Sequence, residues 1–173
     1  MPDPSRIDDL KRRVRQDPGS IAFAQLAEEY RRGGLLEDAI ETCRAGLAVH
    51  PGYLSARVTL GRALLESGAF EAGQEELCQV LAVAPENLAA NRALAEASLR
   101  AGLLSDAVSH FTAAARLAPN DPDLEQQAAA ARKALADAER AAESPARRRA
   151  NAAIAALEGW LEAIDAARTN PDA

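Results

Sequence analysis

The chain has 173 residues, of which 48% are hydrophobic and only 3% aromatic, and its formal net charge is −6. This composition favours closely packed helices over sheets rich in aromatic and β-branched side chains. The acidic balance argues against nucleic acid and anionic membranes as partners, because both attract concentrated positive charge. No stretch reaches the ~20 apolar residues of a membrane-inserted helix, so we expect a soluble, cytoplasmic protein.

The first predicted element is a short amphipathic helix in residues 3–15. Asp3 is a plausible helix cap, Pro4 suits the first helical position, and Ile7, Leu10 and Val14 fall on one stripe. We expect residues 1–19 to cap the N-terminal end of the structure that follows.

Three prolines spaced 34 residues apart, Pro51, Pro85 and Pro119, mark an internal repeat. A fixed period of this length predicts a solenoid of helix–turn–helix units. The units in phase are 20–53, 54–87 and 88–121, each with a helix A, a glycine turn and a helix B. The helix-A pattern consists of Phe23, Leu26, Ala27 and Tyr30, then Arg57, Leu60, Gly61 and Leu64, then Asn91, Leu94, Ala95 and Ser98. The helix-B pattern consists of Ala39, Cys43 and Gly46, then Gly73, Leu77 and Val80, then Ala107, Phe111 and Ala114.

These residues closely resemble the tetratricopeptide repeat over residues 20–119, although Arg57 and Asn91 stand where an aromatic residue is usual. The resemblance implies an all-α, right-handed solenoid of three repeats. Ala27, Gly61 and Ala95 lie where helix A meets helix B, and small side chains there allow the ~8–10 Å approach of closely packed helices.

A further helix is predicted to cap the C-terminal end of the solenoid in residues 120–143. It begins near Asp121 and Pro122, and its narrow apolar stripe consists of Leu124, Ala128, Ala131 and Leu135.

Residues 144–173 are predicted to hold a separate amphipathic tail helix that starts at Ser144 and Pro145. Its docking stripe recurs at spacings of three and four and consists of Ile154, Leu157, Trp160, Leu161 and Ile164. An exposed stripe of this size is unusual for a soluble monomer. Three interpretations remain open: the tail folds back on its own solenoid, it docks on a partner or a second copy, or it occupies its own groove as a plug.

No pattern of catalytic, phosphate-binding or metal-binding residues is found, so we expect no enzyme and no cofactor. His50 and His110 are the only histidines and are 60 residues apart. Cys43 and Cys78 do not form a Cys-x-x-Cys pair, and we predict both to be small buried residues.

The expected function is that of an adaptor or scaffold that holds a peptide or helix of another protein in the groove formed by the A helices. The predicted groove residues are Ile21, Gln25, Glu28, Arg32, Val58, Thr59, Arg62, Leu65, Arg92, Glu96 and Leu99. Members of the resembled family that hold a chaperone carboxylate use basic and amide residues at places that here hold Ala24, Glu28, Thr59, Ala89 and Ala93, so that clamp is absent. Two alternatives are a scaffold that self-assembles into a homo-oligomer through tail-to-groove contacts, and a regulatory subunit of a separate enzyme.

Overall fold

The computed structural model describes residues 4–17, 20–143 and 145–169, and all the regular elements in these ranges are α-helices. The helices are α1 (Pro4–Gln16), α2 (Ala22–Arg32), α3 (Leu36–Val49), α4 (Leu54–Glu66), α5 (Phe70–Val83), α6 (Leu88–Arg100), α7 (Leu104–Leu117), α8 (Pro122–Ala142) and α9 (Pro145–Thr169). The bounds agree with the predicted helix–turn–helix pattern. Two predicted helix caps, Asp3 and Ser144, lie outside the described residues.

The turn inside each repeat has the same geometry. Gly34, Gly68 and Gly102 have φ values of 76°, 90° and 75°, a region that side chains with a Cβ avoid. In the first turn the Leu35 N–H donates to the Tyr30 carbonyl at 2.9 Å, and the equivalent bonds at the other two turns are also 2.9 Å. This is a Schellman motif, which satisfies the last carbonyls of helix A and turns the chain back as helix B.

Each A helix packs against its own B helix and against the next A helix. The pairs α2–α3, α4–α5 and α6–α7 are in contact, and so are α2–α4 and α4–α6. A solenoid results, with the A helices side by side. Its core consists of linked clusters in which Phe23, Cys43 and Leu60 pack together, then Val58, Leu77 and Leu94.

The predicted small residues do allow close helix approach. Ala27 and Ala95 are fully buried. A Cβ added to Gly61 would lie 2.6 Å from the Leu77 Cγ, and one added to Gly73 would lie 2.8 Å from the Gly61 carbonyl oxygen. The α4 and α5 backbones therefore approach more closely here than any side chain would permit.

Helix α1 packs at the start of the solenoid. Ile7 and Leu10 are buried in a cluster with Leu26, Tyr30 and Ala39 of the first repeat. This packing covers apolar surface that an end repeat would otherwise expose.

Contacts divide the chain into two compact units, Met1–Arg132 and Lys133–Ala173. In the first unit, Leu124, Ala128 and Ala131 at the start of α8 are buried. Ala128 and Ala131 share a cluster with Phe111. The Asp121 carboxylate caps α8 by accepting a hydrogen bond from the Asp123 N–H at 3.0 Å.

Candidate functional site

The A helices present a continuous surface of polar and charged side chains, which we call the groove. It contains two depressions. The first has a volume of about 240 Å³ and lies between α2 and α4, and the second has a volume of about 290 Å³ and lies between α4 and α6.

Seven of the predicted groove residues line these depressions. The first depression is lined by Gln25, Glu28, Arg32 and Thr59, together with Arg6, Ala24, Glu29, Tyr53 and Ser55. The second is lined by Arg62, Arg92 and Glu96, together with Ala89 and Ala93.

The other four predicted groove residues line neither depression. Ile21 is exposed just before α2, and Leu99 is exposed near the end of α6. Val58 is buried in the core with Leu77, and Leu65 packs at the edge of the same cluster. These two apolar side chains contribute more to packing than to the groove surface.

An ion-pair network crosses the groove from α2 to α4 and is centred on Arg31. The Arg31 guanidinium donates to both carboxylate oxygens of Glu28, at 2.7 and 2.9 Å, and to Glu66 Oε1 at 2.5 Å. Arg32 donates to the same Glu28 at 3.0 Å, and the Thr59 hydroxyl lies 3.4 Å from it. Only 9% of the Arg31 side chain is exposed, so this network fixes the groove wall and is more than a loose surface pair.

The network sets the charge of Glu28. Burial alone would raise the pKa of Glu28, but the hydrogen bonds and charge of Arg31, aided by Arg32 and Arg62, outweigh burial and lower this pKa from 4.5 to about 2. Glu28 is therefore a fixed negative charge in the groove wall at neutral pH.

The sequence places Glu66 on the groove face, one repeat after Arg32, but Arg31 was not identified as a site residue. The available signal for Arg31 was its spacing of three from Glu28. Pairs of the same spacing of four are present on both helices: Glu28 accepts from Arg32 at 3.0 Å, and Glu96 accepts from Arg92 at 3.0 Å.

The position that Phe23 holds in the first repeat is taken by polar residues, Arg57 and Asn91, in the second and third repeats. In the first repeat, Phe23 packs edge to face with Tyr53. In the second, Arg57 donates to the Pro51 carbonyl at 2.9 Å and to Glu76 of α5 at 2.6 Å. Arg57 thus ties the loop between repeats to both helices of its own repeat by hydrogen bonds where Phe23 uses apolar packing.

Asn91 makes the corresponding contacts in the third repeat. Its amide nitrogen donates to the Pro85 carbonyl at 3.0 Å and to the Asn87 carbonyl at 3.1 Å, so its Oδ1 is left to accept from His110 Nδ1 at 3.3 Å. Burial lowers the pKa of His110, in agreement with a neutral imidazole that donates this bond. The departures from the aromatic pattern therefore have structural roles.

The tail stripe lies on α9. Ile154, Leu157, Trp160 and Leu161 are all more than half exposed, and Ile164 is partly buried. The prediction that these residues share one helix and one stripe is consistent with the α9 bounds.

The two cysteines differ in environment. Cys43 is buried, and burial raises the pKa of its thiol to about 12. The prediction that Cys78 is buried is wrong, because it is exposed. The residue equivalent to Cys43 is Leu77, and one further residue turns the side chain by about 100° away from the core.

Two negative observations apply to the part of the chain that the structure describes. No helix there combines the length and apolarity needed to span a bilayer. No group of three or more histidine, cysteine, aspartate or glutamate residues in those ranges is placed to hold a metal ion.

Comparison with known proteins relates the fold to a family. Residues 58–122 match the model of the tetratricopeptide repeat. A search of curated proteins finds no match.

Several solved structures share the fold. The crystal structure of MamA has a TM-score of 0.65 and 20% identity, covering 80% of this chain and 90% of that one. TTC0263, a thermophilic tetratricopeptide-repeat protein of Thermus thermophilus, has a TM-score of 0.64 and 26% identity over 72% of this chain and 70% of its own. MamA from Desulfovibrio magneticus RS-1 has a TM-score of 0.62 and 18% identity over 80% of this chain and 86% of its own.

The family match and the shared fold agree with the repeated turns, the close helix contacts and the row of A helices described above. Residues 58–122 thus match the tetratricopeptide repeat, and the helices of the described solenoid have the fold of tetratricopeptide-repeat proteins, which are in general scaffolds for protein–protein interaction.

Proposed function

We propose that this protein is an adaptor that binds a peptide or a helix of a partner protein along the groove, with an acidic side chain of that ligand seated in the second depression. The observation that carries the proposal is the pair of Arg62 and Arg92 around a floor of Ala89 and Ala93.

The size of the depressions supports a peptide ligand. Sites for small molecules are typically clefts of about 300–1,000 Å³ that enclose most of the ligand. The two depressions, of about 240 and 290 Å³, are both smaller than this range, and they follow one another along the A helices. Such a row suits an extended or helical ligand that places one side chain in each depression.

The charged residues that line the two depressions support placing the acidic side chain of the ligand in the second depression. The second depression is lined by two arginines, Arg62 and Arg92, and by one carboxylate, Glu96, which pairs with Arg92, so its lining has an excess of positive charge. In the first depression the charges of Arg6 and Arg32 are matched by Glu29 and Glu28. A carboxylate on the ligand therefore gains most near Arg62 and Arg92.

The network around Arg31 favours binding by holding the groove wall in place. Glu28 is held by four hydrogen bonds from Arg31, Arg32 and Thr59, and Arg31 connects it to α4 through Glu66. A wall that is ordered before the ligand arrives reduces the entropy lost on binding.

Peptides selected from a random displayed library against the full chain test this proposal. We expect the selected sequences to share an acidic residue, and their affinity to fall about tenfold or more, equivalent to about 1.4 kcal/mol, in the variant Arg62→Glu with Arg92→Glu. Affinity is measured by fluorescence anisotropy. The matched control is Arg44→Glu with Arg116→Glu, which reverses two exposed arginines on B helices.

The control variant is expected to bind like the wild type. Equal affinity of the groove variant and the wild type would contradict the proposal, as would an equal loss in the control. Binding to the second depression should also weaken with added salt, because the attraction is between charges near the surface.

A further inference from the structure

Glu96 in the second depression is the counterpart of Glu28, two repeats further along the chain, but it is held much more loosely. Glu28 accepts hydrogen bonds on both oxygens from Arg31 and a further bond from Arg32, and only 23% of its side chain is exposed. Glu96 accepts one bond among the described residues, from Arg92 Nε at 3.0 Å, and 43% of its side chain is exposed. The carboxylate of Glu96 is therefore free to change partners, whereas that of Glu28 is fixed.

The repeat pattern explains this difference. The position of Arg31 in the first repeat is taken by Leu99 in the third, and an apolar side chain cannot donate a hydrogen bond to Glu96. The remaining partner, Arg92, lies four residues before Glu96, and a cation placed before an anion on a helix is the less favourable order of such a pair. The pair is therefore easily separated.

The arginines of the second depression have donors to spare. Arg62 is half-buried, and it forms no hydrogen bond or ion pair with any residue that the structure describes. Arg92 gives only its Nε to Glu96, which leaves its two terminal nitrogens available in the same part of the chain. A guanidinium can donate two parallel bonds to one carboxylate, so a ligand carboxylate would compete with Glu96 for Arg92.

We propose that Glu96 is a competitor built into the second depression, one that holds Arg92 in the free protein and gives it up to the acidic side chain of the ligand. This inference rests on the proposed function and assigns to one residue the control of how tightly the acid is bound. After displacement Glu96 stays near the ligand carboxylate, and like charges repel. Glu96 thus lowers the affinity for acidic ligands and speeds their release.

The position of the pair argues against a purely structural role for Glu96. Glu96 and Arg92 both belong to α6, so their ion pair joins no two helices. The bond from Arg31 to Glu66, in contrast, joins α2 to α4. Loss of the Glu96 charge is therefore expected to leave the arrangement of the A helices intact.

The variant Glu96→Gln tests the proposal, because it removes the charge and keeps the size of the side chain. The probes are the tightest-binding peptide from the library selection and the same peptide with its acidic residue replaced by the corresponding amide. We expect the dissociation constant of the acidic peptide to fall about three- to tenfold, and that of the amide peptide to change by less than about twofold. Fluorescence anisotropy measures both constants.

Salt provides a second measurement. Without the charge of Glu96, the charged residues that line the second depression are Arg62 and Arg92 alone. Added salt should therefore weaken binding of the acidic peptide more steeply in Glu96→Gln than in the wild type. The matched control is Glu71→Gln, which neutralises an exposed carboxylate on α5 and should leave both peptide affinities unchanged.

Competition for Arg92 is tested by combining Glu96→Gln with Arg92→Gln. In that background Glu96 has no arginine to hold, so its removal should improve binding of the acidic peptide by less than about twofold. An equal gain in both backgrounds would overturn the competition, because Glu96 would then act only through its charge at a distance. Circular dichroism and urea unfolding of each variant check that the fold is intact.

The outcomes separate this inference from the proposed function. If Arg62→Glu with Arg92→Glu binds the selected peptides like the wild type, both fail. If that variant loses binding while Glu96→Gln keeps the affinity of the wild type or binds more weakly, the role of Glu96 alone is wrong. An equal gain for the acidic and the amide peptide would also overturn it.

Discussion

Glu28 shows how single residues determine the character of the groove. Its carboxylate accepts hydrogen bonds from two arginines, and its pKa falls to about 2 despite partial burial. Because this folded-state pKa lies below the ordinary value of 4.5, Glu28 contributes stability that is fully present above pH 4.5 and is lost as the pH falls through 2.

The variant Glu28→Gln tests this linkage. We expect it to be less stable than the wild type by about 1–2 kcal/mol at pH 7, since exposure of the pair to solvent screens its energy. The difference should shrink as the pH falls from 4.5 to 2, where Glu28 of the wild type becomes protonated. Urea unfolding at a series of pH values measures it.

The control for the pH series is Glu86→Gln, which changes an exposed carboxylate in the loop before α6. A stability difference between Glu28→Gln and the wild type that is the same at pH 7 and pH 2 would show that the carboxylate charge is not responsible.

At the scale of single residues, the sequence predicted where side chains lie on the A helices better than which other side chains they bind. The repeat period places Glu28, Thr59 and Arg62 on the A helices, and the structure finds them in the groove lining. The repeat period does not determine which of several neighbouring arginines Glu28 will bind, because that choice depends on side-chain rotamers and burial. Arg31 therefore emerged only from the structure.

Among the secondary-structure elements, the contact between α4 and α5 depends on two glycines that face each other, Gly61 on α4 and Gly73 on α5. A Cβ at position 73 would lie 2.8 Å from the Gly61 carbonyl oxygen and 2.7 Å from the Leu65 Cγ. The first neighbour is backbone, so only a shift of the two helices would relieve the overlap.

The substitution Gly73→Ala is therefore expected to lower the free energy of unfolding by about 1–3 kcal/mol, even though alanine is the better helix former. The unfolding midpoint in urea provides the measurement. Gly52→Ala is the control, because no atom lies within 4 Å of an added Cβ there, and it should change stability by less than about 0.5 kcal/mol. Equal stability of the Gly73 variant and the wild type would contradict the close packing described here.

The helices were largely predictable from the sequence because each position of the repeat unit occurs in all three repeats. Gly34, Gly68 and Gly102 mark the same turn in three repeats, and each has a positive φ. Departures from the pattern were harder to interpret. That Arg57 and Asn91 replace an aromatic residue is visible in the sequence, but their bonds to the Pro51 and Pro85 carbonyls depend on loop geometry.

At the scale of the whole molecule, polar and apolar contacts are offered by different surfaces. The groove offers charged depressions suited to a polar ligand. Helix α9 instead carries large apolar side chains that are more than half exposed.

The groove is the central claim, and site-specific photo-crosslinking of a selected peptide tests it most directly. A photoreactive residue replaces Gln25 or Ser55 in the groove, or Glu41 or Glu75 on the exposed side of the B helices, and mass spectrometry identifies the linked peptide. We predict crosslinks from Gln25 and Ser55 and none from Glu41 or Glu75. Crosslinks confined to Glu41 and Glu75 would contradict the account, because the peptide would then bind the B-helix surface of the solenoid.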